Sequence, residues 1–545
     1  MKKNSKIENI VGELIKSQIK DRLGLDAFKR RMAKKYQTSC PTNAELLKTY
    51  HKIKGKETKE SLERLLRTRP VRSLSGIVNV SVLTKPYPCP GKCIFCPSQK
   101  GLPKSYLEGE PAVNRALLLN FSPKRQVQER LKSLQDNGHP TDKIELRIIG
   151  GTWSFYSEKY KNWFVKECFR AANNFSKNLK EKKHRKTTAM AFILRQLKKE
   201  QKENEKTKSR IIGISVETRP DFITAKEAKK MRELGITRVE LGVQSIYNNV
   251  LRLNKRGHGI RETITATKIL KDFGFKVSYQ IMPNLPGSSF KKDVEMAEKI
   301  FSNPNFKPDL LKIYPLALVR QSALYKWYQQ KKYKPYNKDK LIKLLVEIKK
   351  KIPWWCRIQR IIRDIPAEKI VEGGAKILNL REYIREEMKK EGLRCHCIRC
   401  REIKENYKKG EKIYLFRENY QASGSKEIFL SFENEERTKL FALLRLRLPN
   451  TTENCSLPFF PALREAAIIR EIHTYGQMAP IGKKGKLAQH RGLGKKLVKE
   501  AEKIARKEFK LKKIAVISGV GVRNYWRKLN YKLNSTYMIK KLPSF

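Results

Sequence analysis

The chain lacks any long apolar stretch. No uninterrupted run approaches the ~18–20 residues that a membrane-spanning helix requires. Its first residues, Met1-Lys2-Lys3-Asn4-Ser5-Lys6, also lack the apolar segment of a secretory signal. These absences argue against a membrane partner and lead to an expectation of a cytoplasmic protein. Acid is the second shortage: 54 Asp and Glu stand against 120 Lys and Arg, a formal charge of +66. Solubility needs nothing of that size. A polyanionic partner is therefore expected, and nucleic acid fits better than a lipid surface because no anchoring device is visible. Cysteine is sparse as well, ten in 545 residues, and two tight clusters hold most of them. That pattern fits metal binding in a reducing compartment rather than a disulfide framework.

What is present begins with length. A chain of 545 residues, 39% apolar, is enough for about two to four domains, each with a core. Residues 1–72 read as a basic helical segment, with Ile7, Ile10, Val11, Leu14 and Ile15 at helical spacing and Lys29-Arg30-Arg31 as a basic patch suited to nucleic-acid phosphates. Residues 73–320 alternate short apolar runs with segments of helical period. The runs are 77–83, 144–149, 211–217, 238–243, 276–282 and 310–316, and they predict a partial or full parallel (β/α) barrel. Chemistry in such barrels sits on the loops after the strands. The charge-dense stretch 181–210 reads as an exposed insertion or a helix extension, and residues 321–410 as a linker. After Gly410 four runs of antiparallel character precede a glycine turn, a helix and another strand, an α+β domain over 411–545.

Three motifs carry chemistry. The first is Cys89-Pro90-Gly91-Lys92-Cys93-Ile94-Phe95-Cys96, directly after the first strand. Three thiolates at this spacing hold three irons of a [4Fe–4S] cluster, and the missing fourth cysteine leaves one iron open. The spacing resembles the radical S-adenosylmethionine superfamily, in which that iron binds S-adenosylmethionine. Gly150-Gly151-Thr152 follows the next strand, where glycine lets backbone approach a ligand. The second motif is Cys395-His396-Cys397-Ile398-Arg399-Cys400, read as structural zinc, with Cys356 the first candidate for a fourth ligand and His396 the second. The third is Gln489-His490-Arg491-Gly492-Leu493-Gly494 at a helix start, where unpaired N–H groups suit a pyrophosphate. It lacks a P-loop lysine and resembles the acetyl-CoA loop of the Gcn5-related N-acetyltransferases.

The three together, with the strings DLLKIY at 309–314, RIQRIIRDIP at 357–366, IHTYG at 472–476 and KIAVISGVGVRN at 513–524, resemble the catalytic-subunit family of Elongator from about Val71 to Lys541. The resemblance implies an enzyme that uses acetyl-CoA and a 5′-deoxyadenosyl radical to form the carboxymethyl group on the 5-position of wobble uridine in tRNA. It places the cluster on Cys89, Cys93 and Cys96. It places acetyl-CoA contacts at Lys143, at Glu471, Ile472, His473 and Thr474, at Leu493, Gly494, Lys495 and Lys496, and at Tyr525 and Trp526, with Lys143 and Tyr525 also expected to be catalytic. Trp526 stands where the family has a second tyrosine. Implied partners are the anticodon stem-loop of tRNA and an electron donor, and a homodimer is compatible. A rival reading is a protein lysine acetyltransferase with a structural cluster and His473 or Glu471 as general base. A third is an RNA-binding scaffold stabilised by metal.

Overall fold

Ile7, Ile10, Val11 and Leu14 share one face of α1 (Lys3–Lys16), the first element of the computed structural model, which describes residues 3–54, 59–175, 189–377, 379–404, 410–449, 459–476 and 492–543. That face packs on α2 (Arg22–Lys35), α3 (Asn43–Lys54) and α4 (Glu60–Leu66), burying Leu25, Phe28, Met32, Leu46 and Leu66 in a core of their own. The basic N-terminus is thus a folded unit, with Arg30, Arg31 and Lys34 left on its outer surface. Arg67 joins it to the rest by donating from Nε to the Gly138 carbonyl at 2.7 Å.

Seven strands then form one parallel sheet in chain order: β1 (Val78–Leu83), β2 (Lys143–Ile149), β3 (Arg210–Thr218), β4 (Arg238–Gln244), β5 (Lys276–Ile281), β6 (Leu310–Ile313) and β7 (Arg357–Arg360). Parallel neighbours need long crossovers, and helices supply them. Ser122, Thr224 and Ser289 start three of these helices by accepting from the N–H three residues on. Sequential pairing curls the sheet into a half-barrel whose edges, among the described residues, are β1 and β7. The seventh strand lies within the expected linker; Arg-Ile-Gln-Arg offers one apolar residue and no run to detect. The charge-dense stretch before β3 differs from an exposed insertion. Its helix Met190–Asn204 buries Ile193 and Leu197, and Asn204 Oδ1 accepts from the Ile211 amide at 2.8 Å. Residues 176–188 lie outside the described part. Outward positions such as Ile144, Leu146 and Ile148 fill the core under the helices. Alternate positions, Glu145, Arg147, Glu217, Glu240 and Gln280, turn inward, so the lumen is polar.

The second sheet has order β13 (Lys532–Asn534), β14 (Tyr537–Lys541), β12 (Lys513–Val516), β11 (Ala466–Thr474), β10 (Leu440–Arg447), β9 (Ser425–Glu433), β8 (Tyr414–Ala422). Only β11 and β12 pair in parallel, the rest antiparallel. This mixed sheet abuts the N-terminal ends of the barrel strands. Asp309, just before β6, receives Arg470 at 2.9 Å, and Lys271 meets Glu427 at 3.1 Å, all essentially without solvent exposure. Register shifts at Arg445/Leu446, a bulge that presents consecutive Arg470 and Glu471 to the barrel. Backbone meets backbone at Gly519, where a Cβ would lie 1.9 Å from the Ile212 carbonyl oxygen. Among the described residues no helix is long and apolar enough to cross a membrane.

Candidate functional site

The loop after β1 brings Cys89, Cys93 and Cys96 to one wall of a cavity at the C-terminal mouth of the half-barrel. Backbone bonds pin the loop: Ile94 N–H to Asn254 O at 3.2 Å and Leu324 N–H to Ile94 O at 2.9 Å. Arg256 donates to Cys93 Sγ at 3.4 Å. Arg219, held by Asp221 at 2.8 Å, points its free Nη1 toward Gly91, where a Cβ would come within 2.4 Å. Burial, and then the neighbouring thiols, push Cys96 up to about 11, so loading metal here releases protons. Three sulfurs flanked by two guanidiniums form a donor set that fits an iron–sulfur cluster with one iron open.

Gly150, Gly151 and Thr152 follow β2, with Gly151 and Thr152 on the cavity wall. At Gly150 the backbone has φ 131° and a Cβ would strike Thr84 Oγ1 at 2.0 Å, so only glycine fits. The floor is ionic. Lys312 pairs with Glu217 at 3.0 Å and closely with Glu240, and Tyr106 donates its hydroxyl to Glu217 at 2.7 Å. Sequence reasoning missed Glu217, Lys312, Arg147 and Arg256. For Arg147 the detectable signal was the charge at every second position of Lys143–Ile149, whose other positions are apolar; Glu217, Lys312 and Arg256 carried no such pattern.

In the other module, strand alternation divides the expected acetyl-CoA residues. Ile472 and Thr474 turn toward Gly494, which has Thr474 Cγ2 and the Tyr525 hydroxyl each 3.6 Å from where its Cβ would stand. Gly492 (φ 67°) caps the helix Leu493–Lys503; Leu493 is buried, and Lys495 and Lys496 are exposed. Tyr525 is half-exposed beside them. Trp526 is buried, edge-on to Tyr531 at 5.2 Å, and packs the last helix. Gln489 lies outside the described residues. Glu471 and His473 face the barrel. Burial would raise Glu471, but Lys276 at 3.2 Å and Arg445 at 2.8 Å outweigh it and hold the carboxyl at about 2. Burial depresses His473 to about 4 and keeps it neutral. Lys143, the first residue of β2, is paired in register with Arg210, which Gly521 covers, so it stands at the end of the barrel that meets this module.

Cys395, Cys397 and Cys400 converge, their sulfurs within 4.8 Å of one another. Hydrogen bonds from Cys395 and Cys400 hold Cys397 well below the usual thiol range, a donor set suited to a metal ion. Cys356 and His396 do not join them. Cys356 sits in the apolar core with its carbonyl accepting from Ile398 N at 2.9 Å, and His396 stacks on Trp354 at 4.1 Å.

A parallel half-barrel with three cysteines after its first strand defines a radical S-adenosylmethionine protein, and residues 87–300 match the Radical SAM superfamily. Residues 308–390 match the Radical_SAM C-terminal domain and residues 4–74 the ELP3 N-terminal domain. The tRNA uridine(34) acetyltransferase of Methanocaldococcus infernus is 43% identical over 98% of each chain. Elongator complex protein 3 of Drosophila melanogaster is 35% identical over 98% of this chain and 96% of its own. Among solved structures, the archaeal Methanocaldococcus infernus Elp3 lacking residues 1–46 is similar with TM-score 0.71 and 41% identity, covering 86% of this chain and all of that one. The chain belongs to the Elongator complex protein 3 family.

Proposed function

We infer that the chain modifies the wobble uridine of tRNA, building a carboxymethyl group on the base's 5-position from acetyl-CoA. Residues 1–72 hold tRNA, 73–320 carry the radical chemistry, 321–410 carry zinc, and 411–545 form an acetyltransferase-type fold that binds acetyl-CoA. The observation that carries this reading is the pairing, in one chain, of an open three-cysteine cavity with a helix start at Gly494 on which Ile472, Thr474 and Tyr525 converge. Cys89, Cys93 and Cys96 would hold a cluster that, with S-adenosylmethionine and an electron donor, would supply a 5′-deoxyadenosyl radical able to take hydrogen from the acetyl methyl. The carbon radical would add to uracil C5, the adduct would return one electron to the oxidised cluster and lose the C5 proton, and water would release coenzyme A from the thioester.

The chain's own residues serve these steps in distinct ways. Gly492 and the first turn of Leu493–Lys503 present N–H groups to the pyrophosphate, as a helix start does. Burial raises the Tyr525 hydroxyl, so it stays protonated and can donate to the thioester. Lys143 contributes charge at the module boundary. Gly150 and Gly151 let S-adenosylmethionine lie against backbone.

The rival, lysine acetylation with Glu471 or His473 as base, is disfavoured because β11 turns both away from Gly494 and locks Glu471 in two ion pairs. The test is mass analysis of tRNA nucleosides after anaerobic incubation with a reductant and both cosubstrates. Carboxymethylated uridine is expected. Its absence, together with cluster-independent acetylation of lysine peptides, would overturn the reading.

A further inference from the structure

Arg219 and Arg256 come from different β/α units, yet both end on the cysteine loop. Arg219 directly follows β3, and Arg256 follows the helix Asn248–Leu253 beyond β4. Both line the cysteine cavity, and both are more than nine-tenths buried. Arg256 donates from Nη1 to Cys93 Sγ at 3.4 Å and from Nη2 to the Gly242 carbonyl at 2.5 Å. Arg219 is clamped along one edge, where Nε and Nη2 donate to the two Asp221 oxygens at 2.9 and 2.8 Å. Its Nη1 is buried and donates to nothing among the described residues. The point where a Gly91 Cβ would stand lies 2.4 Å from this Nη1 and 3.6 Å from Cys93 Sγ. The unused donor is therefore aimed at the cysteine sulfurs.

Glycines clear the way for both guanidiniums. A side chain at Gly91 would displace Arg219 Nη1, and one at Gly242 would meet Arg256 Nη2 at 2.7 Å. The charges here do not cancel. Two cations share one carboxylate, Asp221, which holds the Nε–Nη2 edge of Arg219 rather than the edge turned to Gly91. His258 beside them is neutral, because burial and then Arg256 depress it to about 4. Net positive charge thus lies against Cys93, and a buried cation with an unused donor is costly unless an anion meets it. Three thiolates carrying an iron–sulfur cluster are such an anion, and every electron the cluster accepts adds negative charge. Net charge and hydrogen bonds to the sulfurs are among the terms that set the potential of such clusters.

We propose that Arg219 is a positioning residue that poises the cluster for reduction, its Asp221-held guanidinium stabilising the added electron from the Cys93 side. This rests on the reading of Cys89, Cys93 and Cys96 as cluster ligands and adds a residue to the electron-accepting step. That step moves one electron from an external reductant to the cluster and breaks no bond in the protein. A unit charge ~6 Å away, at an effective dielectric of ~20, shifts a one-electron equilibrium by roughly a hundredfold, and Asp221 offsets part of that.

The test is a redox titration of the reconstituted full chain without S-adenosylmethionine, followed by the electron paramagnetic signal of the reduced cluster. Arg219→Gln should make the midpoint more negative, lowering the reduced fraction at a fixed potential about tenfold, which is about 59 mV for one electron. Arg219→Lys keeps the charge and should recover most of that shift. Iron content, and binding of S-adenosylmethionine to the oxidised protein, should match the unmodified chain in both variants. An unmoved midpoint in Arg219→Gln, or a lysine variant that falls as far as the glutamine one, would overturn the assignment. So would iron lost from Arg219→Gln, since the residue would then hold the cluster in place rather than poise it. Weakened S-adenosylmethionine binding with an unmoved midpoint would overturn it too, by making Arg219 an anchor for that molecule. Nucleoside analysis separates this from the parent reading. A shifted midpoint without any carboxymethylated uridine leaves the role of Arg219 standing and sinks the reaction, whereas modified uridine with an unshifted midpoint does the reverse.

Discussion

Cys93 is where the chemistry is most exposed to a single change. Its sulfur accepts from Arg256 and faces Arg219 across Gly91, so replacing it removes both a ligand and the acceptor for a buried guanidinium. Cys93→Ala should drop iron from about four per chain, as the cluster type requires, to near none after anaerobic reconstitution. Cleavage of S-adenosylmethionine should vanish while circular dichroism of the C-terminal sheet persists. A variant that keeps its iron would show that Cys93 is not a ligand. The cysteine motif was legible because covalent spacing alone sets how three thiols meet. Glu217, Lys312 and Arg256 were not, because they come from three separate β/α units and meet only once the sheet curls.

At the level of elements, β11 and the linker each make a prediction. In β11 the neutral His473 resists protonation in the folded chain down to about 4, whereas the unfolded chain accepts a proton near 6.5. Stability therefore falls as pH drops from about 6.5 to 4. Glu471, held at about 2, adds a further loss from about 4.5 downward, since the unfolded carboxyl protonates first. His473→Gln should flatten the upper limb by on the order of 3 kcal/mol, measured as thermal midpoints across that range; an unchanged limb would assign it elsewhere. In the linker, Cys397→Ser should lower zinc content and thermal stability yet leave the barrel's iron in place. Zinc that stays stoichiometric in that variant would reject the three-sulfur set. Six barrel strands were readable as apolar runs. β7 was not, with one apolar residue in four, and neither was the bulge at Arg470, which depends on the partner strand β10.

For the whole molecule, the charge of +66 predicts that RNA affinity is governed by counterion release. Neutralising ~6–10 phosphates would cost about 10³–10⁵ in affinity between 50 and 200 mM salt on the duplex scale, somewhat less for single strands. Replacing Lys29, Arg30 and Arg31 together should weaken binding to all tRNAs alike and flatten that dependence, measured by filter binding. Affinity that differs between tRNAs after this change would mean that the helical unit reads sequence. Net charge was visible in composition; that α1 to α4 carry their own core and present it as a separate surface was not.

The contact at Gly519 has a mechanical meaning. Where a side chain cannot be inserted between two backbones, the two modules share a weld rather than a hinge. Swinging the modules apart would break the buried Asp309–Arg470 and Lys271–Glu427 pairs at once, at several kcal/mol for each pair broken. The protein is therefore the stationary frame of its own reaction cycle. On the proposed function, the distance between the cysteine cavity and Gly494 would be covered by the cargo: by the long flexible arm that carries the acetyl group, and by the nucleotide that leaves its stack to meet it.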